Sequence, residues 1–131
     1  MYVIGKEIES MFGKKKEAEV WSAEDYRMKE LLQNLCEHRC IMQTYCRKII
    51  ICKGCAEMLP DGADKNQELQ EIETCQKQIL NLLAAYDEDL RQYKQIDSSL
   101  LRYYTGPVKQ LTSHEALHIS WKMAYREVVS K

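Results

Sequence analysis

The chain has 131 residues, enough for one hydrophobic core, and its 45% hydrophobic content separates it from disordered sequences. Two prolines and five glycines leave little room for a many-turned β fold, and a net charge of -1 excludes the strongly basic balance of a dedicated nucleic-acid binder. No run approaches the roughly 18–20 apolar residues of a membrane span. Gly5, Lys6 and Glu7 break the start of any leader-like stretch. The expectation is a cytoplasmic location in which the six cysteines stay thiols.

Residues 1–21 form an N-terminal segment. Ile4, Ile8, Met11 and Phe12 fall on one helical face, Gly13 ends it and Lys14-Lys15-Lys16 follows. Such a short amphipathic helix suits a cover over the open end of a bundle; the alternative is a weak anchor on an anionic membrane surface. Ser22, with Asp25 three residues on, predicts the start of a long helix over 22–59. Its apolar stripe is Leu31, Leu35, His38, Met42, Tyr45, Ile49, Cys52, Ala56 and Leu59. Pro60-Asp61-Gly62 is a turn signal. Asp64-Lys-Asn-Gln67 then opens a second long helix over 64–104, striped by Leu69, Ile72, Gln76, Ile79, Leu83, Tyr86, Leu90, Tyr93, Asp97, Leu100 and Tyr104.

Steps alternating between four and three keep a stripe on one side of a helix, so the two stripes face each other along an antiparallel, coiled-coil-like hairpin. Gly106-Pro107 follows in the order expected after a helix C-terminus. Thr112-Ser-His-Glu115 is a full capping box and predicts a shorter third helix over 112–129, with Leu117, Trp121, Ala124, Tyr125 and Val128 as its apolar face. The fold class is all-α, and 1–131 reads as a single helical domain.

The charge is uneven along the chain. Residues 61–97 carry nine acids against four bases, and 98–131 carry five bases against two acids. A modestly basic C-terminal piece is compatible with nucleic acid, and it fits equally well as the internal complement of an acidic helix.

The third helix is about half as long as either arm and covers only the half of the hairpin away from Pro60. Ile41, Ile50 and Ile51 on helix one, and Leu80 and Leu82 on helix two, project off the seam near the turn. Leaving each exposed forgoes roughly 1.5–3 kcal/mol. These five residues are the expected interaction surface, for a second copy of the chain or for another protein.

Among the cysteines, Cys52-Lys-Gly-Cys55 has the spacing of half a zinc ribbon without the second half. Cys36 and Cys40 share a face, and Cys46 points away from Cys52. The expectation is that they pack as small apolar residues.

His114-Glu115-Ala116-Leu117-His118 matches H-E-x-x-H. On a helix the two imidazoles stand one turn apart on one face and both reach one zinc ion, with the glutamate beside them. These five residues resemble the active-site helix of zinc peptidases. The resemblance implies His114 and His118 as ligands and Glu115 as the catalytic base. Asp97, the lone acid of the helix-two stripe, is the best third ligand by helical rise. Against this, Glu115 already has a task in the capping box. His38 is expected to form a hydrogen bond across the seam.

Residues Tyr103 to Gly106 and Ile119 to Arg126 resemble the helix-turn-helix of sigma-like and phage transcription regulators. That resemblance implies Trp121, Lys122, Tyr125 and Arg126 facing DNA. The reading that follows best from the whole sequence is a non-enzymatic interaction or regulatory module without a cofactor, self-associating into an oligomer. A zinc protein and a small DNA-binding regulator are the alternatives.

Overall fold

The computed structural model describes residues 20–130. Three α-helices account for most of them: α1 (Ala23–Met58), α2 (Ala63–Lys94) and α3 (Ser113–Val129). A 3-10 turn, Ser98–Leu100, lies between α2 and α3. The helix expected around Ile4 to Phe12 lies outside the described residues.

Helix α1 starts where the sequence places it. Ser22 is the N-cap, and Asp25 completes the capping box although its side chain is one methylene shorter than the usual Glu. At 36 residues the helix is about 54 Å long. Its stripe is the core: Leu31, Leu35, Met42, Ile49, Cys52 and Ala56 are buried, and His38, Tyr45 and Leu59 are half-buried. Gly62 makes the turn at φ 156°, in a region side chains avoid, and it is the N-cap of α2 in place of Asp64.

The α1–α2 pair is antiparallel. His38 meets Asp89, whereas Lys48, further along α1, meets Glu71, earlier on α2. Along α2 the stripe holds at Ile79, Tyr86, Leu90 and Tyr93, all buried. Nearer the turn it shifts by one residue: Cys75 is buried and Gln76 exposed. The thiol packs as an apolar group where the amide would need partners.

Helix α2 stops at Lys94 rather than Tyr104. The reason is local. Asp97 accepts hydrogen bonds from the Ser99 backbone N–H at 3.0 Å and the Ser99 hydroxyl at 2.6 Å, capping the 3-10 turn and drawing the chain out of α-helix. The segment that follows is tied to the hairpin by two tyrosines of the stripe. The Tyr86 hydroxyl donates to the Leu111 carbonyl at 2.8 Å. The Tyr93 hydroxyl donates to the Val108 carbonyl and accepts from the Val108 N–H.

Helix α3 runs parallel to α1. Ala116 joins the cluster of Leu35 and Tyr86, and Ala124 joins that of Cys46, Ile49, Cys75 and Ile79. It packs mainly on α1. Its innermost row is small: Ser113, Ala116, Ser120 and Ala124 are buried, while Leu117, Trp121 and Val128 flank them half-buried and Tyr125 is exposed. Small side chains let the two helices approach closely. Glu127 closes the contact, accepting from Gln43 at 2.9 Å and pairing with Arg47 at 3.2 Å. Among the described residues, no helix is long and apolar enough to cross a membrane.

Candidate functional site

The N-terminal turns of α3 carry the sharpest motif of the sequence. Thr112 is the N-cap, its hydroxyl accepting from the Glu115 N–H at 3.1 Å. The Glu115 carboxylate in turn accepts from the Thr112 N–H at 2.9 Å. That backbone donor is the main reason the carboxyl sits below its ordinary range. The base role implied by the peptidase resemblance needs this carboxylate at a metal-bound water, whereas here it closes a cap. Thr112→Ala is expected to lower stability by about 1 kcal/mol. Glu115→Gln, which still serves a capping box, is expected to change the melting temperature less, and thermal unfolding of both variants checks the order.

His114 and His118 are exposed and line one open depression together with Leu111, Glu115 and Ile119. The sequence-predicted pair is therefore brought together, as the i, i+4 spacing requires. Asp97 is not with them. It lines a different depression with Glu24, Arg27 and Gln92, and its carboxyl is held low by the Ser99 hydroxyl and N–H. No group of three His, Cys, Asp or Glu side chains among the described residues is arranged to hold a metal ion. His38 takes up its expected place in the α1–α2 seam, 2.9 Å from Asp89. A carboxylate only accepts, so Nε2 carries the proton, and the buried Nδ1 has no hydrogen-bond partner.

Lys122 and Arg126 stand exposed on the outer face of α3. The helix is continuous from Ser113 to Val129, so the turn that a helix-turn-helix needs before Ile119 is replaced by unbroken helix. The resemblance to transcription regulators therefore does not extend to the backbone there.

The five hairpin residues divide. Ile41, Ile51 and Leu80 are 43%, 48% and 65% exposed. Ile50 and Leu82 are half-buried, Ile50 against the cluster of Cys46 and Ile79. The sequence reasoning passed over Met58, which is also exposed, and it placed Leu69 in the α2 stripe, whereas Leu69 is exposed. Ile51 and Met58 are seven residues apart on α1, and Leu69 and Leu80 eleven apart on α2, so each pair shares a face. The exposed thiols Cys36, Cys40 and Cys55 lie along the same outer side of α1 as Ile51 and Met58. Buried Cys46 is pushed up to about 12 by desolvation, and Cys52 to about 11 by desolvation and the nearby Glu68 carboxylate, so both remain neutral thiols that pack as apolar groups.

One polar site had no counterpart in the sequence reading beyond its capping role. Asp25 is fully buried. Its carboxylate accepts from the Ser22 N–H at 2.7 Å and from the backbone N–H groups of Arg102, Tyr103 and Tyr104 at 3.0–3.2 Å. Burial by itself raises the pKa, but the four backbone donors outweigh it and hold the carboxyl well below the usual carboxylate range. Beside it, Trp21 stacks on Tyr103 with ring centroids 4.4 Å apart, and Tyr26 and Tyr104 close the aromatic group. This clasp joins the start of α1 to the α2–α3 connection. What the surface can do chemically rests on these residues alone, for no protein-family model, curated protein or solved structure matches the chain.

Proposed function

We propose that the chain is a helical interaction or regulatory module that acts by protein contact, self-associating through the apolar surface of the hairpin. The observation that carries this reading is the exposed group Ile51, Met58, Leu69 and Leu80. Ile51, Met58 and Leu69 lie toward the Pro60 turn and Leu80 near the middle of α2, and α3 packs its last turns around Gln43 and Arg47, short of Met58. Burying large apolar side chains of this kind contributes roughly 1.5–3 kcal/mol each, enough in sum to drive association. A long rigid hairpin offers such a surface without reorganising, which keeps the ordering cost of association low.

Ile51→Lys combined with Leu80→Lys tests this. Both positions are exposed, so the helical circular dichroism should stay close to wild type. Light scattering should show a wild-type assembly that the double variant reduces to the monomer mass. A wild-type protein that is already monomeric at high concentration would remove the self-association reading.

A duplex-binding regulator acting through Lys122 and Arg126 makes a different forecast. Its binding would weaken steeply with added salt and would need both side chains. Under the interaction reading, no DNA is retarded at low salt, and the double alanine variant behaves as wild type.

A further inference from the structure

The outer face of α1, opposite its buried stripe, carries a row that α2 and α3 leave exposed. Tyr26, Gln33 and Cys40 follow one another at a spacing of seven and share this face. Around Cys40 the row opens into a depression lined by Gln33, Cys36, Glu37, Cys40 and Ile41, all of them from α1. Ile41 is exposed there beside two small thiols. Walls of this kind leave room for large apolar side chains, and sulfur makes favourable contacts with an aromatic ring.

The point at which residues 1–19 join the described structure says how far along α1 they reach. They enter at Val20, next to the Ser22 cap. Ile4, Ile8, Met11 and Phe12 are spaced for one helical face, and Gly13 to Glu19 connect them to α1. Those seven connecting residues span at most about 25 Å. From Ser22, Cys36 lies about 21 Å and Ile41 about 28 Å along α1. A segment folding back beside α1 thus brings Phe12 level with Cys36 and Cys40, and about 12 Å of helix from Phe12 carries Ile4 past Ile41. The stripe ends about 37 Å from Ser22, short of Ile51 at about 43 Å and Cys55 at about 50 Å.

Charge selects this face among those within reach. Lys14-Lys15-Lys16 would run beside Glu37 and Glu30, the second also paired with Arg27. Two bases further along α1 are turned to the other helices, Arg47 to Glu127 and Lys48 to Glu71. The outer face of α3 presents Lys122 and Arg126, which repel three lysines. At the clasp, Lys29 and Arg102 offset Glu24 and Asp97, and a site so close to Val20 needs no span of seven residues.

We propose that residues 4–12 dock as a helix antiparallel to α1, with Phe12, Met11 and Ile8 seated on Cys36, Cys40 and Ile41, as a removable cover over the two thiols. The cover leaves Ile51 and Met58 open, so it confines the contact surface of α1 to the end near the turn. It does not depend on self-association.

The test labels the full chain with a maleimide and reads each cysteine by peptide mass. The Ile51→Lys/Leu80→Lys background keeps assembly from shielding the thiols. Ile8→Asp/Phe12→Asp should raise the labelling rates of Cys36 and Cys40 about tenfold, because in the parent the reaction waits for the cover to open. Cys55, beyond the segment, should keep its rate, and buried Cys46, Cys52 and Cys75 should stay unlabelled as a sign of intact folding. Lys14→Glu/Lys15→Glu/Lys16→Glu should raise the two rates less, and adding Glu37→Lys should lower them again. Equal rates in the parent and in Ile8→Asp/Phe12→Asp would overturn the proposal. Protection that fades on dilution would assign the cover to a second copy and overturn it as well. So would fast Cys36 and Cys40 in a parent that binds vesicles of anionic phospholipid through Ile8 and Phe12, for the segment would then belong to a membrane surface.

Discussion

Leu35→Asp is expected to abolish the cooperative fold. Leu35 is fully buried at the point where all three helices meet, in one cluster with Met28, Leu31, Tyr86, Leu90 and Ala116. A carboxylate placed there has no partner, and an unpaired buried charge costs more than about 4 kcal/mol. Native domains are stable by roughly 5–15 kcal/mol, so one side chain removes a large part of that margin. Leu35→Ala removes the same contacts without the charge and should cost about 2–5 kcal/mol, leaving a folded but weakened protein. Ile51→Asp, on the exposed side of the same helix, should change stability by only about 0.5 kcal/mol. Far-ultraviolet circular dichroism against urea measures all three. A cooperative, wild-type-like transition in Leu35→Asp would mean that the α1 stripe is not the core.

That contrast between Leu35 and Ile51 was legible in the sequence. A three-four spacing fixes which side of a helix is apolar without any knowledge of its neighbours, so the α1 stripe follows from periodicity, and the short Pro60-Asp61-Gly62 turn signal adds the antiparallel pairing. Both capping boxes were legible for a similar reason, since Ser22 with Asp25 and Thr112 with Glu115 are local patterns of four residues. Ending α2 at Lys94 required weighing two local signals of opposite sign. Leu100 and Tyr104 continue the helical spacing, but Asp97-Ser98-Ser99 offers the backbone a competing set of hydrogen bonds, and those bonds win.

The docking of α3 was harder to read. Hydrophobicity points to Leu117, Trp121, Ala124, Tyr125 and Val128, whereas the row against α1 is Ser113, Ala116, Ser120 and Ala124, with only Ala124 common to both. Close helix approach selects small side chains, and smallness is a weaker sequence signal than an apolar stripe. A buried phenol needs a hydrogen-bond partner, and Tyr86 and Tyr93, read in the sequence only as stripe residues, find theirs in the backbone of Leu111 and Val108. The candidate histidines were placed together by spacing alone, since an i, i+4 pair needs no tertiary information. Asp97 was a tertiary inference built on a continuous α2, and the early end of that helix takes it elsewhere.

The other large effect is expected at the clasp. Asp25→Asn keeps the side-chain shape but removes the charge, and it turns an amide NH2 toward backbone N–H groups that can only donate. Arg102, Tyr103 and Tyr104 then compete for a single carbonyl oxygen, and buried donors without acceptors are strongly destabilising. The melting temperature should fall by about 10 °C or more at neutral pH, and a protease should gain access to residues 98–112 before the hairpin opens. The pH dependence gives a second, sharper signature. The carboxyl is held below its unfolded value of about 3.9 in the native protein. The unfolded chain therefore binds the proton first as the solution is acidified. Stabilisation by Asp25 is complete above that unfolded value and drains away as the pH falls below about 4 toward the lowered native value. The asparagine variant has no such proton to bind. The gap in melting temperature between wild type and Asp25→Asn should thus be constant from pH 7 to about 5 and should narrow below about 4. A gap that stays equally wide at pH 3 would show that the carboxylate's charge is not what holds the α2–α3 connection to the start of α1.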